Sequence, residues 1–215
     1  MKKAVIFDLD GTLLNTLGDL ASSVNFALCE CGYPERTIDE VRSFIGNGVV
    51  VLIHRSVPDG TAQADEKKCF EIFRKRYLEH MEDTTAPYEG VNELIFELSK
   101  LGIKTAVVSN KLDAGVKGLC KEYFPHLTCA FGVNTESERK PAPTNVFKAL
   151  NELKVEKADA LYVGDSEVDV QTAQNAGLGM LGVTWGYRSR EELIGSGAET
   201  TVDSPSQILE YIKQS

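Results

Sequence analysis

The chain has no excess of positive charge: 23 lysines and arginines face 32 aspartates and glutamates, a formal net charge of −9. That balance argues against non-specific nucleic-acid binding and against docking on an anionic membrane, since both need clustered cations. A negatively charged substrate would need local help from a metal or a lysine. No apolar run reaches the length of a membrane span. The run after Met1-Lys2-Lys3 is too brief for a signal-peptide core, so the expectation is a cytoplasmic protein. The five cysteines are odd in number and include no C-x-x-C pair, which argues against a disulfide framework or a zinc site. They read as reduced, mostly buried thiols. His54, His80 and His126 lie far apart and form no metal-ligand pattern. With 42% hydrophobic and 26% charged residues, disordered and collagen-like classes are also out.

What is present begins with Ala4-Val5-Ile6-Phe7-Asp8-Leu9-Asp10-Gly11-Thr12. Four apolar residues read as a short strand buried on both faces. Two carboxylates one residue apart then follow, an arrangement that burial and like-charge repulsion disfavour unless a cation sits nearby. Gly11 gives a backbone free to turn, and Thr12 gives a hydroxyl and an N–H for an oxyanion. This is the equipment of phosphoryl transfer to an aspartate nucleophile; the plainer alternative is an Asp-Gly turn.

From about residue 16 to 86 the periodicity is almost wholly helical: 19–30, 38–45, a buried helix over 48–57, and 65–83. Thr84-Thr85-Ala86-Pro87 reads as a linker. Beyond Tyr88 helices alternate with strands, the latter at 103–108, 127–133, 160–163 and 179–185. The pattern predicts an α/β fold: a doubly wound, Rossmann-like parallel sheet with an inserted α-helical cap. The domains read as a core of residues 1–15 and 87–215 and a cap of residues 16–86.

Ligands of such sheets bind beyond the carboxyl ends of the strands, which gathers distant positions into one site. The first strand delivers Asp8 and Asp10, the second Ser109 and Asn110, and a later one Asp165, with Ser166, Glu167 and Asp169 following. Lys140 precedes Pro141 in a loop between the last two. Several carboxylates in one cleft need a cation, and Mg²⁺ suits oxygen ligands while tolerating water and phosphate oxygens.

The stretches FDLDGT, VVSN, the K-P loop and GDSEVD resemble the four motifs of the haloacid dehalogenase-like superfamily of phosphohydrolases, over essentially the whole chain. Ser109-Asn110-Lys111, the IGNG turn and VTWGYRSREEL look like its phosphoglycolate phosphatase branch. The resemblance implies Asp8 as nucleophile and Asp10 as general acid, then base, its backbone carbonyl also ligating Mg²⁺. It implies Ser109 and the backbone near Asn110 as phosphoryl ligands, Lys140 as charge neutraliser, and Asp165 as a direct metal ligand supported by Asp169. Thr12 and Lys111 join Asn110 as substrate-binding candidates, with Gly46 and Asn47 in the cap; Arg42 is a weaker one. The implied partner is a small phosphorylated metabolite, and oligomeric state is not legible.

Two apparent motifs fail on context. Gly177-Leu178-Gly179-Met180-Leu181-Gly182 fits G-x-G-x-x-G but runs from helix to strand, the reverse of a dinucleotide site. Gly164-Asp165-Ser166 lacks the second glycine of a nucleophile elbow. Other readings stay open: a sugar-phosphate mutase, a pyrophosphatase or a nucleotidase on the same core, a phosphorylation switch, or an inactive binding module.

Overall fold

The first apolar run is buried along its whole length because it lies mid-sheet, with a parallel strand on either side. The protein is seen here as a computed structural model that describes residues 2–214. Its elements begin with β1 (Ala4–Phe7), β2 (Leu14–Asn15), α1 (Leu17–Glu30), α2 (Ile38–Phe44), α3 (Val49–Ser56), α4 (Gln63–His80) and β3 (Ala86–Pro87). Then come α5 (Val91–Lys100), β4 (Lys104–Leu112), α6 (Asp113–Tyr123), β5 (Cys129–Val133) and α7 (Thr144–Leu153). The chain ends with β6 (Ala160–Gly164), α8 (Glu167–Ala176), β7 (Gly179–Val183), α9 (Arg190–Gly195), β8 (Thr200–Val202) and α10 (Pro205–Gln214).

Six strands form a parallel sheet in the order β5-β4-β1-β6-β7-β8. The chain steps outward from β1 to β4 and β5, then crosses back to β6 on the other side. The reversal leaves a crevice at the carboxyl ends of β4, β1 and β6. Ala4 and Ile6 pack with Ala106, Val108 and Tyr162 against Val146 and Ala149 of α7 and Ala173 and Ala176 of α8. Val5 and Phe7 alternate to the opposite face. Among the described residues no helix is long and apolar enough to cross a membrane.

The chain divides into two compact units, one of residues up to Leu14 and from Pro87 onward, the other Asn15–Ala86. Asn15, expected in the core, therefore belongs to the inserted unit. The segment read as a linker contains β3, which pairs with β2 in a two-stranded sheet. Strands this short carry no periodicity. β4 runs on to Leu112, past the strand end expected at Val108, with a register shift against β5 between those residues. β8 was not foreseen, since three residues beside a glycine-rich turn give too little pattern. The cysteines also depart from expectation: Cys69 and Cys120 are buried, but Cys31 and Cys129 are half-buried and Cys29 is exposed.

The inserted unit is four helices, with α1 holding Val24 and Leu28 in its buried face and α4 holding Phe73 and Tyr77, whose rings stack at 5.4 Å. Its chain ends are tied by one carboxylate. Asp19 accepts hydrogen bonds from the N–H and hydroxyl of Thr84, at 2.9 and 2.5 Å, and from those of Thr85, at 2.9 and 2.8 Å. Burial pushes its pKa up, but the threonine donors outweigh that and hold it below the usual carboxylate value. The folded pKa lies below the unfolded one, so the stabilisation is present above about pH 4 and lost as pH falls through the folded value. Asp19→Ala should lower unfolding free energy by roughly 3 kcal/mol near neutral pH. The gap from wild type, measured by urea denaturation, should narrow as the buffer is taken well below pH 4.

Candidate active site

At the carboxyl end of β1, Asp8 meets Lys140, whose Nζ lies 2.7 Å from Asp8 Oδ1 and 2.7 Å from Asp169 Oδ1. All three side chains are nearly sealed from solvent. Two hydrogen bonds from one side chain hold the lysine loop: Asn110 Oδ1 accepts from Lys140 N–H at 2.7 Å, and Asn110 Nδ2 donates to the Lys140 carbonyl at 3.3 Å. Asn175 donates to the Pro141 carbonyl at 2.9 Å, across a cis Lys140–Pro141 peptide.

Asp169 is placed by the start of α8. Ser166 and Asp169 form a reciprocal capping box, in which the Ser166 hydroxyl donates to Asp169 Oδ2 at 2.6 Å. The other oxygen faces Lys140 and accepts from the Tyr162 hydroxyl at 3.1 Å. Asp165, at the end of β6, accepts from the Thr12 hydroxyl at 3.1 Å and the Tyr187 N–H at 2.7 Å. Ser109 is buried and its Oγ accepts from Lys111 N–H at 3.2 Å. Lys111 Nζ stands 3.2 Å from Asp10 Oδ1, both side chains mostly covered.

Thus Asp8, Asp10, Thr12, Ser109, Asn110, Lys111, Lys140, Asp165 and Asp169 all lie in the core unit, around the crevice. Gly46 and Asn47 lie in the inserted unit, in the turn between α2 and α3, where Gly46 takes a φ of +126°. Arg42 pairs with Asp39 on α2 at 2.9 Å. Sequence reasoning missed three contributors. Tyr162 looks like any core aromatic in a buried strand. The Asn110 side chain serves the Lys140 backbone, which a distance of thirty residues conceals. The Tyr187 N–H belongs to a loop whose only signal was its likeness to a family pattern.

The electrostatics leave a deficit of positive charge. One oxygen from each of Asp8, Asp165 and Asp169 lies within 4.8 Å of the others, all buried, with Lys140 as the ammonium among them. Burial, then Asp169, push the Asp8 pKa well above its usual value; Lys140 opposes this and Asp165 adds to it. Burial and Asp169 push Asp165 up to about 7 despite the Tyr187 N–H. Burial draws the Lys140 pKa down, but Asp169 and Asp8 more than offset it, so the ammonium is retained. With all three ionised, the carboxylates would exceed the one ammonium by two negative charges, a balance that burial resists without a cation, and the oxygens they offer are hard donors. The residues therefore fit a small divalent cation such as Mg²⁺. Asp8 and Asp165 would hold it, since each Asp169 oxygen already accepts from two donors, Lys140 and Tyr162 at one and the Ser166 N–H and hydroxyl at the other, whereas each Asp165 oxygen accepts from one.

The haloacid dehalogenase-like hydrolase profile matches residues 5–183. The chain belongs to that family. A curated relative from Aquifex aeolicus, named phosphoglycolate phosphatase, is 33% identical over 98% of this chain and 96% of its own. Another of that name, from Vibrio parahaemolyticus, is 32% identical with the same coverage. Among solved structures, a protein from Lactobacillus delbrueckii subsp. bulgaricus, provisionally described as a phosphoglycolate phosphatase, superposes with a TM-score of 0.94 at 34% identity, covering 99% of both chains.

The site makes the stability of the metal-free hydrolase depend on pH in a specified direction. Asp165 has a folded pKa of about 7, above its unfolded value of about 3.9. The folded state therefore binds the extra proton, and this group's contribution falls as pH rises between those values. In EDTA, Asp165→Asn should equal wild type near pH 4 and exceed it in melting temperature at pH 8. Added Mg²⁺ should stabilise wild type alone. A variant less stable than wild type at pH 8 would contradict the charge assignment.

Proposed function

We propose that this hydrolase is a Mg²⁺-dependent phosphatase of small phosphate monoesters, phosphoglycolate-like in preference, working through an aspartyl-phosphate on Asp8. The observation that carries the reading is Lys140 held at 2.7 Å from both Asp8 and Asp169 in a buried carboxylate cluster. The relatives' shared name supports the substrate class.

An Asp8 oxygen attacks phosphorus, the bond from phosphorus to the ester oxygen breaks, and the Asp10 carboxyl gives its proton to the departing alkoxide. Asp10, now a carboxylate, takes a proton from water as the water oxygen attacks phosphorus. The bond to Asp8 breaks, releasing inorganic phosphate and restoring both side chains. Lys140 offsets the repulsion between the Asp8 carboxylate and a dianionic ester, and the Ser109 hydroxyl and the Asn110 N–H donate to phosphoryl oxygens. Lys111, beside Asp10, is suited to a second anionic group on the substrate, as phosphoglycolate has. Mg²⁺ held by Asp8, Asp165 and the Asp10 carbonyl would supply charge neutralisation for the transferring group. We assign selection of the leaving group to the inserted unit, with Gly46 and Asn47 as its reading residues.

A panel of 2-phosphoglycolate, sugar phosphates, nucleoside monophosphates and pyrophosphate tests the reading by phosphate release. Release should require Mg²⁺, cease in EDTA, and fall by at least about a thousandfold in Asp8→Asn. 2-Phosphoglycolate should have the highest kcat/KM. Isomerisation of a sugar phosphate without net phosphate release would assign the site to a mutase instead.

A further inference from the structure

Asp165 is gripped by a loop that carries no catalytic group. Residues 185–188 follow β7 and fold back over the two acidic loops. Trp185 Nε1–H donates to the Thr12 carbonyl at 3.1 Å, fastening the loop to the turn after Asp10. Gly186 then passes so close that a Cβ there would lie 2.4 Å from Asp165 Cβ and Oδ2 and 2.4 Å from the Gly11 carbonyl oxygen. Gly11, at a φ of +90°, is pressed from the other side, where a Cβ would lie 2.2 Å from Asp165 Oδ2 and 2.9 Å from the Tyr187 ring. The Tyr187 N–H reaches Asp165 Oδ2 at 2.7 Å, while the Thr12 hydroxyl takes Oδ1 at 3.1 Å. Arg188 closes the loop with a two-pronged pair to Glu167, at 2.8 and 3.2 Å. Glu167 is two residues beyond Asp165, so the pair ties the loop to the segment that carries the carboxylate.

We propose that the loop Trp185–Arg188, latched by Arg188 to Glu167, positions Asp165 for the metal and thereby sets the affinity of the site for Mg²⁺. Each Asp165 oxygen has one lone pair engaged, which fixes the rotation of the carboxylate and leaves the other lone pairs directed for a cation. Arg188 and Trp185 are positioning residues: they act through Asp165 and take no part in bond making. The latch explains a side chain that is otherwise hard to place, a nearly buried arginine whose partner is half-exposed. Solvent reaches the Glu167 end of the pair and screens it, which limits its contribution to overall stability. Its value lies in the carboxylate it orients.

The protein has a single tryptophan, and its indole is bonded to the loop beside the proposed metal ligands. Its emission should therefore report on the grip directly, with no substrate present. The inference rests on the Mg²⁺ reading of the site, and one titration separates the two. Purified full-length protein is titrated with MgCl₂ by calorimetry and by tryptophan emission, alongside Glu167→Gln, Arg188→Gln and Arg188→Lys. Wild type should bind one Mg²⁺ with a change in emission. Glu167→Gln and Arg188→Gln should each weaken binding roughly tenfold, and the double variant no further, while Arg188→Lys retains part of the affinity. In turnover, the Mg²⁺ concentration for half-maximal rate should rise by the same factor, and kcat at saturating Mg²⁺ should stay within about twofold of wild type.

Unchanged Mg²⁺ affinity in Glu167→Gln overturns the loop's role, and that residue is exposed enough for the substitution to leave the fold intact. A loss of kcat that saturating Mg²⁺ does not restore overturns it as well. Absence of Mg²⁺ binding in wild type would overturn the metal reading itself.

Discussion

One ammonium held between two buried carboxylates is the constraint on which the rest of the site depends. Lys140 sits 2.7 Å from both Asp8 and Asp169, and all three are almost out of contact with water. Charges so placed lose most of their hydration, and only close, well-aligned partners make the arrangement tolerable. The surrounding residues supply that alignment. Asn110, on β4, holds the lysine backbone, Asn175 holds the next carbonyl, and Ser166 locks Asp169 through the first turn of α8. Tyr162 belongs to the apolar layer by its ring and to the site by its hydroxyl, so the same residue packs the sheet and fixes the acid.

The same constraint governs where the backbone must approach closely. A side chain at Gly164 would put its Cβ 2.4 Å from the Cβ of Asp169, and one at Gly186 would meet Asp165 at the same distance. These glycines exist for space, to let a turn pass over a carboxylate without solvent between them. Exclusion of water strengthens every interaction in the crevice and also raises the cost of each unpaired charge. The packing that gathers three carboxylates around one ammonium therefore opposes ionising all of them, and a divalent cation would offset that cost.

Much of this was legible in the sequence because strand ends are. An apolar run that stops at a polar cluster marks both the strand and the carboxyl edge where ligands gather. Asp8, Ser109 and Asp165 each stand immediately beyond such a run. The parallel order and the helical insertion followed from the switch in periodicity near Tyr88. What the pattern could not carry was pairing across long separations. Nothing in Ala160-Leu161-Tyr162 distinguishes a tyrosine whose hydroxyl reaches a lysine from one that merely fills a core. Nor does Asn110, read as a phosphate ligand, announce that its amide is spent on a loop thirty residues on. The short strands β2, β3 and β8 escaped for a simpler reason: two or three residues cannot display a period.

The placement of the insertion has a physical consequence for how such a site can diversify. The chain leaves the core at Leu14 and returns at Pro87, and the Tyr88 N–H bonds back to the Leu13 carbonyl at 3.0 Å. The two ends of the excursion are therefore joined on the core side by a backbone hydrogen bond. Residues 15–86 contribute none of Asp8, Asp10, Lys140, Asp165 or Asp169, and none of the strands of the six-stranded sheet. The register of β1 against β4 and β6, and with it the spacing of the acids, is made by residues outside the insertion. The phosphoryl chemistry we propose is accordingly a property of the sheet. Selection of the leaving group, which we propose for Gly46 and Asn47, falls to residues outside the strands that carry the acids.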